Sequence, residues 1–108
     1  MQLNMKPVYF PARQIVNLLD EGSFGSNLVV VRFIRKLREK LKNNHGPIDP
    51  LSLCLGICVV LREEIPRKGH QFVLPMLPEI SARIAETGPE GTRFSREMDK
   101  FLMQFRIQ

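Results

Sequence analysis

Apolar residues recur along this chain at helical spacing, and Pro and Gly fall at the ends of the periodic runs instead of inside them. The first run places Ile15, Leu18 and Leu19 on one face, with Pro11 at the first helical position and Gly22 just past the end. "GSFGS" then reads as a loop. The second run extends from Ser26, a good N-cap, to Asn44, and repeats Val30, Ile34, Leu37 and Leu41 at four, three, four spacing. Its opening, "NLVVVRF", is rich in β-branched residues that suit strands. The stripe nonetheless continues unbroken into "IRKLREKLKNN", made of strong helix formers, and this favours a helix.

The third run has Asp49 as N-cap, Pro50 at the first helical position and Pro66 beyond the end, the marks of a helix of about fifteen residues. Leu51, Leu53, Cys54, Leu55, Ile57, Cys58, Val59, Val60 and Leu61 make it apolar on nearly every side, which predicts burial. Gly56 costs about 1 kcal/mol in helix propensity, tolerable where another helix approaches closely. The fourth helix is expected to start between Pro75 and Pro78 and to end at Gly88, after which "GPEG" turns the chain. The fifth starts at Thr92 as N-cap and carries Phe94, Met98, Phe101, Leu102 and Phe105 on one face.

These elements predict an all-α fold in one domain spanning 1–108, a small bundle of about five helices around the central apolar helix Pro50 to Glu64. Residues 1–10 read as an extended N-terminal arm. An α+β arrangement is the competing expectation, if "NLVVVRF" and "QFVLPML" pair as strands.

Composition narrows the picture further. With 108 residues, 44% of them hydrophobic and 25% charged, the chain has the makings of one core and none of the signature of disorder. "LSLCLGICVVL" spans about 17 Å as a helix, roughly half of a bilayer's hydrocarbon thickness, so no membrane span is expected. The N-terminal "MQLNMKPVYFP" lacks the continuous apolar segment of a signal peptide. Two cysteines give no disulfide framework, and a reducing cytoplasmic setting is the expectation.

Candidate chemistry is sparse. Cys54 and Cys58 lie one helical turn apart, a spacing at which two thiolates can share a metal, but His45 and His70 are the only histidines available to complete a site. Bringing both rings to the middle of an apolar helix would bury two polar groups, so no metal and no cofactor is expected. The thiols read as small buried hydrophobes. No phosphate loop, dinucleotide fingerprint, zinc-protease motif or nucleophile elbow is present, and a non-enzyme is expected.

Charge is more informative. Arg32, Arg35, Lys36, Arg38, Lys40 and Lys42 stand against one acid, Glu39, within eleven residues, a net charge of +5. The whole chain is also +5, so the basic excess is one patch on one helix. Such a patch suits an acidic protein partner or the phosphates of nucleic acid. A helix-turn-helix is not indicated, because "NNHGPIDP" is too long for its turn.

A second candidate surface is the apolar face of the last helix, Phe94, Met98, Phe101, Leu102 and Phe105, joined by Tyr9 and Phe10 of the arm. The expectation that follows is a regulatory protein that binds another protein, in the manner of an antiactivator or adaptor masking a larger regulator such as a transcription factor. It is expected to be a homodimer. The alternative is a small basic protein that contacts nucleic-acid phosphates through its second helix.

Overall fold

The computed structural model describes residues 8–44 and 46–106, with residues 105 and 106 described for their backbone only. Of these residues 78% are helical, and the class is all-α. Chain order is β1 (Phe10–Pro11), α1 (Ala12–Glu21), α2 (Leu28–Lys42), β2 (Pro47–Ile48), α3 (Pro50–Glu64), α4 (His70–Val73), α5 (Leu77–Ala85) and α6 (Pro89–Arg106). Single 3-10 turns, Arg67–Gly69 and Leu74–Met76, flank α4. The two β segments form one antiparallel pair, with Phe10 opposite Ile48. The segments weighed as strands, "NLVVVRF" and "QFVLPML", lie within α2 and across α4 and α5.

Local chemistry explains most of the boundaries. At α3, Asp49 Oδ2 accepts from Ser52 N at 3.4 Å and Pro50 occupies the first turn, as the capping pattern predicts. At α2 the cap is Asn27 and not Ser26: its Oδ1 accepts from Val29 N at 2.8 Å and from Val30 N at 3.3 Å. An amide oxygen one residue later reaches two orphan donors, so the helix starts there. The last helix also departs from expectation. It begins at Pro89 instead of after Thr92, because Pro needs no N–H in the first turn and Gly88, at φ 142°, takes up the reversal before it. Thr92 is therefore inside α6, where its hydroxyl donates to Ala85 O and Gly88 O, both at 3.0 Å.

The helices close into a ring in which α1 packs on α2, α2 on α3, α3 on α6, α6 on α5 and α5 back on α1. Their inward faces form one core, centred on Ile15, Phe33, Leu37, Leu53, Ile57, Val73, Ile84, Phe94 and Met98. Phe10, anchored by β1, packs its ring on that of Phe94 with centroids 5.7 Å apart. The expected N-terminal arm thus ends inside the core, while residues 1–7 lie outside the described residues.

Two helix contacts carry special chemistry. At the α5–α6 corner, Gly91 sits so close to Ile84 O and Thr87 Oγ1 that a Cβ there has no room. Further along, Ser81 of α5 donates to Asp99 Oδ1 at 2.6 Å and shares a hydrogen bond with Ser95 Oγ, also at 2.6 Å. Ser81 and Ser95 are buried, so this chain satisfies hydroxyls that would otherwise carry a desolvation cost.

Helix α3 is one stave of the ring, and its apolarity exceeds its burial. Leu53, Cys54, Ile57, Val60 and Leu61 are inside, whereas Leu51 and Leu55 face solvent. Gly56 meets no helix backbone: a Cβ there would lie 3.9 Å from the aliphatic stem of Lys40.

Candidate interaction surface

Helix α2 carries the patch, and its inward residues fix which way the patch points. Val30, Phe33, Ile34, Leu37 and Leu41 are buried, so at 100° per residue the opposite face presents Leu28, Val31, Arg32, Arg35, Glu39 and Lys42. The six cations divide by position around the helix. On the α3 side, Arg32 donates through Nε to Glu64 O at 3.0 Å, and Arg32 and Lys36 approach Glu64 Oε1 at 3.4 and 3.8 Å. Lys36 also lies 3.8 Å from Glu39, one turn on. On the α1 side, Arg38 Nη1 pairs with Asp20 Oδ1 at 2.7 Å. These are partly exposed pairs, each contributing about 0–1 kcal/mol; they hold side chains in place more than they stabilise the fold.

Arg35, Lys40 and Lys42 have no carboxylate within ion-pair distance among the described residues. Beside them, Leu28 is 82% exposed and Val31 44% exposed. The surface is therefore mixed: unpaired cations interleaved with apolar side chains on one helix face.

A groove runs along the α1 flank of this face. It has a volume of about 270 Å³ and is lined by Phe24, Val30, Val31, Ile34, Arg35 and Arg38, with Gly22 and Gly25 at its end. Its wall is the loop between α1 and α2, and Arg83 of α5 holds that loop. The Arg83 guanidinium lies 4.5 Å from the centroid of the Phe24 ring, and its Nη2 donates to Ser23 O at 3.0 Å. Gly22 is needed here because a Cβ would come within 2.5 Å of both Arg83 Nη1 and the Phe24 ring. A wider groove of about 560 Å³ lies between α1 and the end of α2, but its lining of Arg13, Asp20 and Lys42 mixes signs.

The second candidate surface is largely corrected by the structure. Phe94 and Met98 are fully buried, and Phe10 and Leu102 are nearly so, because α6 turns its stripe into the ring where α3, α5 and β1 meet it. Those four residues are core and present nothing to a partner. Phe101 is half-buried against the core, Tyr9 is exposed, and the Phe105 side chain lies outside the described residues.

The cysteines behave as small hydrophobes. Burial, then the neighbouring Cys58 and Asp99, push the Cys54 thiol up to about 12, and its Sγ lies 3.9 Å from Met98 O. Burial also raises Cys58, against a smaller opposing effect of Arg62. A thiol so held is a poor nucleophile and a poor metal ligand. His70 lies elsewhere, its Nε2 2.9 Å from Leu61 O and 3.1 Å from Ile65 O, where it satisfies carbonyls at the end of α3. His45 lies outside the described residues. Among the described residues no three His, Cys, Asp or Glu side chains gather in a group that could hold a metal ion. No helix of the described residues is long and apolar enough to cross a membrane.

Phe24 and Arg83 are the residues that sequence reasoning missed. The signal for Phe24 was present, since a lone aromatic inside "GSFGS" has to pack somewhere; nothing along the chain ties Arg83 to it. Compared with protein-family models, with curated proteins and with solved structures, the chain matches none of them.

Proposed function

We propose that this chain is a non-enzymatic regulatory protein that acts by binding another protein through the outer face of α2. The observation that carries the reading is the make-up of that face: Arg35 and Lys42, without ion-pair partners among the described residues, set among solvent-facing Leu28 and Val31. Cations alone suit any polyanion. Cations interleaved with exposed apolar side chains suit a protein surface, where apolar contact supplies affinity and charge supplies orientation and rate. The finer reading, an antiactivator or adaptor that masks part of a transcription factor or other larger regulator, rests on analogy of size and class. The expected homodimer loses most of its sequence-based argument, because Phe94, Met98 and Leu102 of the α6 stripe that was to form it are core.

A second reading uses the same helix on nucleic-acid phosphates, and the concentration of six basic residues in one window supports it. Three of those six are engaged with Glu64 and Asp20, which reduces the charge available to phosphates. The two readings separate in one experiment: recovery of partners from a native lysate on the tagged full chain, with and without nuclease. A stoichiometric protein retained after nuclease, and lost with Arg35→Glu, is the expected result. Recovery that depends on intact nucleic acid, with binding to duplex that falls steeply with salt, would replace the first reading by the second.

A further inference from the structure

We propose that the groove between α2 and the α1–α2 loop is the seat of an acidic amphipathic helix belonging to the partner protein; this inference rests on the interaction reading above. The groove has an apolar lining, Phe24, Val30, Val31 and Ile34, and a cationic rim, Arg35 and Arg38. At about 270 Å³ it is smaller than the clefts that hold drug-sized molecules, which start near 300 Å³, and it has room for one or two apolar side chains. Leu28, Val31 and Arg35 follow one another at i, i+3 and i+7, about 10 Å along α2, so two turns of a second helix laid beside them meet the same spacing.

The rim selects the sign of that helix. Arg35 has no carboxylate partner among the described residues. Arg38 is already paired through Nη1 with Asp20, so Arg35 is the rim cation left open to a partner. An Asp or Glu flanking the partner's apolar stripe pairs with the exposed Arg35 guanidinium through charge-assisted hydrogen bonds, which are stronger than neutral ones. A second copy docking through its own α2 is the wrong occupant, since it would bring a window of +5 against a window of +5. Nucleic acid is also a poor fit, because Phe24, the groove's aromatic ring, is only 7% exposed and lies under Arg83, leaving no open face for a base to stack on.

The site is also formed in advance. Arg83 fixes the loop through the Phe24 ring and Ser23 O, so a partner finds the wall in place and avoids the cost of ordering it.

The test is site-specific photo-crosslinking with the full chain. Val31, half-exposed on the groove wall, is replaced by p-benzoylphenylalanine; the variant is irradiated in nuclease-treated native lysate, and the joined peptide is sequenced. The expected product is a protein segment with apolar residues at i, i+3 or i+4 and i+7 and a net negative charge. A synthetic peptide of that segment binds the wild-type chain, and Arg35→Glu weakens it about tenfold or more with the helical circular dichroism unchanged. Crosslinking to a second copy of the chain, or to a neutral or basic segment, overturns the proposal. So does a partner still captured by Arg35→Glu and never crosslinked from position 31, an outcome that leaves the interaction reading standing. Absence of any nuclease-resistant protein partner overturns the interaction reading itself, and this proposal with it.

Discussion

Helices α2 and α6 are both amphipathic, but α6 buries Phe94, Met98 and Leu102 of its apolar stripe whereas α2 keeps Leu28 and Val31 outside, together with cations that have no ion-pair partner among the described residues. Their positions in the ring explain the difference. The stripe of α6 meets α5, α3 and β1, and Phe94, Met98 and Leu102 are covered from each side. On α2, the neighbours α1, α3 and α4 all pack on the inner half, and Leu28 and Val31 on the outer half stay exposed. Periodicity reveals that a helix has an apolar face; which part of it stays open depends on where around the helix the topology places its neighbours.

The comparison can be broken most severely at its buried end. Phe94→Ala removes a fully buried ring in contact with Phe10, and its expected cost is about 3–5 kcal/mol in urea unfolding. A change below about 1 kcal/mol would mean that the α6 stripe is not core. A smaller effect is expected from Ser81→Ala, which leaves the buried Ser95 hydroxyl without its partner and Asp99 without a donor from α5. About 1–2 kcal/mol should be lost, and the double replacement of Ser81 and Ser95 by Ala should cost less than the sum of the two single changes.

Gly56→Ala tests the stave between the two helices and carries the opposite sign. The added methyl would meet only the stem of Lys40 at ordinary contact distance, so up to about 1 kcal/mol of helix propensity should be gained as a raised melting temperature. The smallest effect belongs to the open face. Val31→Ser and Arg35→Glu are expected to stay within about 0.5 kcal/mol of the parent in the same urea assay. A larger loss would show that this face carries stability and would weaken its use as a docking surface.

Where sequence and structure agree, the determinant is local. Asp49 and Pro50 define the start of α3 because both act within one turn, and Gly22 ends α1 by donating its N–H to Leu18 O at 2.9 Å. Misplaced boundaries arose where two residues compete for one role: Asn27 displaced Ser26, and Pro89 preceded Thr92. The basic window on α2 was legible as charge, but not the fact that Glu64 and Asp20, remote in sequence, engage half of it. The groove was not legible at all, since Phe24 and Arg83 are brought together only by the packing of α1 on α5. All-round apolarity overstated the burial of α3, because its neighbours cover Leu53, Cys54, Ile57, Val60 and Leu61 but leave Leu51 and Leu55 outside.

The close approach at Gly91 has a further consequence for how the molecule assembles. The corner lets α5 and α6 meet across a few residues, so this hairpin can form early with little loop-closure entropy, whereas joining Phe10 to Phe94 closes most of the chain. The stave that completes the ring is also the last of the five to leave the ribosome. Until it does, the surfaces awaiting Phe94 and Met98 stand open, and products cut short within α6 should be the aggregation-prone species of this protein.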